Sequence, residues 1–244
     1  MGNPKTILIL HGWGLGNVLW RKAKEGLESY GYRVFVPDLP GFGQEPPPES
    51  PWTIDDYIEW VNAYADKNGL TNFFLLGHSF GGRLAIKLAA KYPEKLKGLI
   101  LVSAAGVEST KSVREISVSI LAPHLSKLAF LPGYNFLREF FYRFVLKKTD
   151  YLKAKGVMKE TFKKVIGEDL TPLLEKIKMP TLIIWGENDK TLPVTDGYLM
   201  NKKIEKSCLE IMKGINHTPH VEAPELLAQK IADFVKRYET PDVS

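Results

Sequence analysis

Short apolar runs punctuate the chain at residues 6–10, 33–36, 73–76, 99–102, 181–185 and 208–212. Each carries little or no charge, as strands buried on both faces of a parallel sheet do. Between the runs the apolar spacing changes to that of helices. One helical stretch covers 19–30 and closes at Gly31. Another places Ile54, Tyr57, Ile58, Val61 and Ala65 on one face and ends near Gly69. Thr53, three residues before Asp56, gives it a start like a capping box. Further helices are expected over 84–90, near 195–203 and over 224–238. Strand and helix alternate, which predicts an α/β chain with a mostly parallel sheet and helices on both faces. Between 106 and 171 the alternation stops, and only helical periodicity remains (Ile116 with Ile120; Phe136, Phe140 and Phe144; Phe162, Val165 and Ile166). The expected organisation is therefore a core over 1–106 and 172–244 with a helical insertion over 107–171. That insertion is either a cap over a site or extra bundled helix.

The run at 73–76 leads into Gly77-His78-Ser79-Phe80-Gly81, and a helical pattern follows at once. Strand, tight turn and helix around G-x-S-x-G is the context of a nucleophile elbow. Glycine is expected two positions either side of the serine, because a larger side chain there would strike the incoming strand or outgoing helix.

With this motif, four other blocks carry a resemblance: His11-Gly12-Trp13-Gly14, Asp38-Leu39-Pro40-Gly41-Phe42-Gly43, Trp185-Gly186-Glu187-Asn188-Asp189 and Asn216-His217. Together they resemble the α/β-hydrolase fold, in the subgroup of small carboxylesterases of the pimeloyl-ester hydrolase kind. Carbon–carbon bond hydrolases and proline iminopeptidases are similar as well. The resemblance implies that the insertion is a helical cap. It also implies one or two antiparallel strands before the first parallel one; the few residues ahead of Thr6 make a pared-down sheet the expectation.

A serine hydroxyl is a weak nucleophile at neutral pH and needs a base within hydrogen-bond reach. Five histidines are available. His78 lies inside the elbow, where its ring leaves the turn in another direction and serves as wall or core. His124 falls in the insertion, and His11 ends the first strand, where its ring is expected to hold the following loop. His217 matches the position of the base in the resembled family, although most relatives have glycine where this chain has Asn216. Asn tolerates left-handed backbone, so the departure costs little. His220 is the alternative base, and the two as a metal-binding pair lack a completing ligand cluster. Asp189 follows the strand at 181–185 and should emerge at the carboxyl end of the sheet, where ligands bind in open α/β folds. The order Ser79, Asp189, His217 is that of this fold. Glu187 and Asp196 are neighbouring acids, and Glu108 is an alternative because some relatives place the acid there. The oxyanion donors are expected from the N–H groups of Trp13 and Phe80. Trp13, Leu15, His78, Leu125 and Phe140 are the expected substrate-binding residues.

The activity so implied is cleavage of a carboxylic ester with an apolar acyl part, through an acyl-enzyme on Ser79. Carbon–carbon bond hydrolysis of a dienoate, aminopeptidase chemistry and perhydrolysis are alternatives on the same fold; for the first, Arg83 is a candidate carboxylate partner and equally a surface or cap-bridging residue. A ligand-binding protein without catalysis is the alternative of another class. Ser79 at the elbow argues against the dehalogenase and epoxide hydrolase chemistries that use aspartate there.

Composition adjusts this picture little. The 244 residues, 44% hydrophobic and 25% charged, suit one globular domain. A single cysteine, Cys208, excludes an internal disulfide framework and suits a reducing compartment. No apolar run approaches the ~20 residues that span a bilayer. The run at 7–10 is too short for a signal-peptide core, and a cytoplasmic protein is expected. The first six residues match a crude myristoylation pattern at Gly2, which is more simply a lead-in to the first strand. The net charge of +5 is concentrated at 147–178, where nine lysines face five acids, interleaved with apolar residues as on a solvated helix face. No nucleic-acid partner, membrane, cofactor or metal is called for. A small-molecule ester and a monomer or homodimer are the expectation.

Overall fold

A computed structural model describes residues 5–14, 16–107 and 156–238. Among them six strands form one sheet: β1 (Thr6–Leu10), β2 (Arg33–Phe35), β3 (Phe73–His78), β4 (Leu96–Val102), β5 (Thr181–Gly186) and β6 (Ser207–Met212). Their order is β2-β1-β3-β4-β5-β6, and every neighbouring pair is parallel. The helices are α1 (Arg21–Ser29), α2 (Ile54–Lys67), α3 (Phe80–Lys91), α4 (Val157–Ile166), α5 (Val194–Lys203), α6 (Pro219–Glu222) and α7 (Pro224–Arg237).

Side-chain alternation along the strands divides the core in two. Leu8, Leu10, Leu75, Leu99, Leu101 and Ile183 face one side, where α2, α3 and α5 cover them. Ile7, Ile9, Phe74, Leu76, Ile100 and Ile184 face the other and pack under α1 and α7. Because both faces are covered, the strands read as continuous apolar runs, which made them visible in the sequence. The predicted cap of α2 is present: Thr53 Oγ1 accepts from Asp56 N, and Asp56 Oδ2 accepts from Thr53 N. The 19–30 stretch begins as a 3-10 turn at Val18–Trp20 before α1. Further 3-10 turns at Pro93–Lys95 and Thr171–Lys176, and the four-residue α6, were not foreseen, being too short to show a period.

Of the expected insertion, residues 108–155 lie outside the described residues, and with them His124, Leu125, Phe140 and Glu108. Gly2 and Leu15 are outside them too. The described part, α4, lies against the core. Thr161 Oγ1 accepts from Trp52 N at 3.0 Å, and Lys164 Nζ donates to Pro51 O at 2.9 Å. Arg83 of α3 donates to the carbonyls of Ile166 and Glu168 at its end.

Candidate active site

The chain runs from β1 outward to β2 and then returns to β3 on the other side of β1. The loops leaving β1 and β3 therefore diverge at the carboxyl edge, the switch point where such sheets open a crevice. Ser79 stands there, between the last residue of β3 and the first of α3. Its backbone is left-handed, φ 52° and ψ −114°, a conformation that costs a non-glycine residue about 1–3 kcal/mol. The surroundings enforce it. Ser79 O accepts from Gly82 N at 2.9 Å and Ala105 N at 3.0 Å. A Cβ on Gly77 would strike Gly81 O and Ala85, and one on Gly81 would strike the Leu10 and His11 carbonyls. The turn can be this tight only with glycine at both places.

Strand β5 delivers Asp189 and the loop after β6 delivers His217. His217 Nδ1 lies 2.8 Å from Asp189 Oδ2, and its Nε2 lies 3.1 Å from Ser79 Oγ. The Asp189 side chain is fully buried, that of His217 is 18% exposed. Asp189 Oδ1 accepts from Thr191 N at 2.8 Å and Leu192 N at 2.9 Å. Burial works against its charge, but the His217 hydrogen bond and charge and these two amides outweigh it and hold the carboxyl below its usual range. An ionised Asp189 has no proton to give, so Nδ1 of His217 carries one and Nε2 is left to accept from the serine hydroxyl. That wiring lets the imidazole take the Ser79 proton as oxygen attacks an electrophile.

The loop after β1 comes close to the serine: a Cβ on Gly12 would lie 3.5 Å from Ser79 Cβ. Among the described residues neither the Trp13 nor the Phe80 N–H is given to another acceptor. His11 holds this loop as expected. Leu39 N donates to its Nε2 at 3.0 Å, so Nδ1 carries the proton and donates to Gly12 O at 2.8 Å. Burial keeps this ring neutral by lowering its pKa, against the Gly12 hydrogen bond and the charge of Asp38. Asp38 ties the next loop by accepting from Asn17 N and Gln44 N. The Trp13 indole sits edge-on to Phe42, Phe80 and Phe162, with ring centroids 4.8–5.1 Å apart, and so links the elbow to α4.

Two expectations are corrected. His78 does not face a substrate: it is 1% exposed, with its ring against Trp20, His217 and His220 and its Nε2 2.9 Å from the His217 carbonyl. It supports the loop from behind. Asn216 is not left-handed; Gly214 is, with φ 73°. Asn216 instead bonds Glu222 through both its backbone N and its side-chain Nδ2. Of the two readings of Arg83, the structure favours the bridging one: its guanidinium donates to the carbonyls of Ile166 and Glu168 at the end of α4. Glu187 accepts from Gly214 N at 2.9 Å, Asp196 is buried in the first turn of α5, and neither contacts His217. His220 stacks on Trp20 at 4.2 Å, away from the serine. No group of three His, Cys, Asp or Glu among the described residues is placed to hold a metal. Sequence reasoning gave Glu222 no role, although the run Glu222-Ala223-Pro224 after His217 belongs to the same family match.

A model of the alpha/beta hydrolase fold matches residues 5–148. Lipase 1 of Psychrobacter immobilis is 28% identical over 96% of this chain and 77% of its own length. A pimeloyl-[acyl-carrier protein] methyl ester esterase of Neisseria meningitidis is 27% identical over 95% and 94%. The 2-hydroxy-6-oxo-6-phenylhexa-2,4-dienoate hydrolase of Comamonas testosteroni is 25% identical over 97% and 89%. A solved membrane phospholipase A superposes with a TM-score of 0.78 at 26% identity, covering 98% of this chain and 81% of that one. The family model takes in more than half of the residues, and the parallel sheet with its serine elbow agrees with it: the chain belongs to the alpha/beta hydrolase fold family.

Proposed function

We propose that this chain is a serine hydrolase that cleaves carboxylic esters through an acyl-enzyme on Ser79. The observation that carries the reading is the hydrogen-bonded line Ser79 Oγ, His217, Asp189, with contacts of 3.1 and 2.8 Å. Ser79 Oγ attacks the ester carbonyl carbon while its proton passes to His217 Nε2, and Asp189 stabilises the imidazolium. The carbonyl oxygen becomes an oxyanion, received by the N–H groups of Trp13 and Phe80. Each such donor is worth roughly 3–4 kcal/mol by precedent. The carbon–oxygen bond then breaks and the leaving alkoxide takes the proton from His217. Water, deprotonated by His217, attacks the acyl-enzyme; the acid departs and Ser79 regains its proton.

An apolar acyl group suits the aromatic side chains of Trp13, Phe42, Phe80 and Phe162, which lie together beside the serine. The insertion over 107–171 is read as a cap, a reading supported by the contact of Phe162 in α4 with Trp13. Ester cleavage is preferred over carbon–carbon cleavage because Arg83, the candidate partner for a dienoate carboxylate, is engaged with the Ile166 and Glu168 carbonyls. The test is turnover of a short-chain nitrophenyl ester, with mass-spectrometric detection of a fluorophosphonate adduct. Ser79→Ala should lose both, with a fall in kcat of roughly 10⁴-fold or more. Equal turnover by the mutant, or a parent that forms no adduct, would sink the proposal.

A further inference from the structure

His217 lies in irregular backbone between the end of β6 at Met212 and the start of α6 at Pro219. No ladder or helix partner fixes its flanking amides. One carboxylate does so instead. Glu222 Oε2 accepts from Asn216 N at 3.0 Å and Asn216 Nδ2 at 2.8 Å. Glu222 Oε1 accepts from Thr218 N at 3.3 Å and Thr218 Oγ1 at 3.0 Å. The residues before and after His217 are thus held by the two oxygens of a single planar group. Between them the His217 carbonyl accepts from His78 Nε2 at 2.9 Å. A Cβ on Gly186 would strike the carbonyls of Ile215 and Asn216, so the same loop is pressed onto the end of β5, from which Asp189 follows.

We propose that Glu222 is a positioning residue: its carboxylate clamps Asn216 and Thr218 and so sets the imidazole of His217 between Ser79 and Asp189. The inference rests on the serine-hydrolase reading for its catalytic consequence, but not for its geometric one. Glu222 is on the surface and touches neither the serine nor a place where substrate would react, so its effect passes entirely through His217. Burial works against its charge, yet the four donors outweigh this and keep the carboxyl below its usual range. Four donors on one group also explain why the neutral isostere is not equivalent. An amide offers one acceptor oxygen and one NH₂, and the NH₂ would face donors on one flank of the histidine. Asn216 supplies one of the four bonds through a side chain that glycine lacks.

The experiment compares the parent with Glu222→Gln and Asn216→Gly, reading nitrophenyl-ester kinetics, the rate of fluorophosphonate labelling, melting temperature and the downfield proton resonance of His217 Nδ1–H. Glu222→Gln should lower kcat and the labelling rate about ten- to a hundredfold, as displacement of a catalytic group by a fraction of an ångström to an ångström does. KM should stay within about twofold, because no substrate contact is lost, and the downfield resonance should shift or broaden. Asn216→Gly should move the same readouts in the same direction by less. Parental kcat, labelling and downfield resonance in Glu222→Gln would overturn the clamp. If that variant loses its cooperative melt, Asn216→Gly decides: a cooperative melt with parental kcat and resonance overturns it. A parent that shows the downfield proton yet never labels at Ser79 defeats the hydrolase reading alone, and the resonance still tests the clamp.

Discussion

The His217 loop has imidazoles on both sides, and the two sides are built in opposite ways. Toward the crevice, the His217 ring has both nitrogens engaged, one with a buried carboxylate and one with a serine hydroxyl. Behind it, 5.1 Å away between ring centroids, His78 meets His220, which lies flat on Trp20. Here each ring leaves Nδ1 buried without a hydrogen-bond partner, and the charge of Glu222, which favours protonation of His220, is outweighed by burial. Burial, followed by the neighbouring imidazoles, pushes the His78 pKa well below its ordinary value, and burial with the charge of His217 takes His220 to about 4. Three rings of one chemical kind, packed in a row, thus divide into one bonded to a carboxylate and a hydroxyl and two kept neutral. The partners decide this, and the buried pair behind adds no charge to compete with His217 for Asp189.

The largest expected effect comes from removing the feature that distinguishes the front side. Asp189→Asn keeps the shape but no longer requires the Nδ1–H tautomer of His217. It should lower kcat by roughly 10⁴-fold with little change in KM, as steady-state ester kinetics will show. A loss below tenfold would mean the two sides differ less than their geometry implies.

Next comes the acid response of the rear pair. The folded pKa of His220, about 4, lies below the ordinary 6.5. The stability tied to keeping this ring neutral is therefore fully present above pH 6.5, and it is lost as pH falls from there through 4, when the unfolded chain binds a proton that the fold refuses. The amount is about 3 kcal/mol, and His78 acts in the same direction. His220→Phe, which preserves the stack on Trp20, should flatten the slope. Urea melts at pH 7 and pH 4.5 measure it, and identical slopes in parent and variant would refute the assignment.

The smallest effect concerns a third buried ring, His11, which has both nitrogens bonded but only to backbone. His11→Ala leaves the buried Leu39 N–H without an acceptor and should cost about 2 kcal/mol of stability, read by thermal melting. Rescue by His11→Asn, which can accept from Leu39, would sharpen the contrast between a ring that ties loops and the ring that faces Ser79.

Much of this was legible in the amino-acid order. Strands buried on both faces must be apolar at every position, so β1, β3, β4 and β5 stood out as runs. Gly77 and Gly81 around Ser79 reported a turn too tight for side chains. Thr53 with Asp56 marked the start of α2, since a capping box is written within four residues. Asp189 was placed by its position after β5, and His217 by its likeness to relatives. These signals are local, or follow from the chain order of the fold.

What the order of residues left undecided are contacts between positions far apart along the chain. Nothing in the pattern showed that His78 would turn its ring onto the His217 carbonyl 139 residues away, or decided whether Arg83 would meet a substrate or bridge to the end of α4. Asn216 looked like a substitute for glycine in a left-handed turn, and only the packed loop shows it bonded to Glu222. Periodicity reports which face of a segment is buried. Which partner meets it there, and hence whether an imidazole is a base or a piece of core, depends on how separate elements come together.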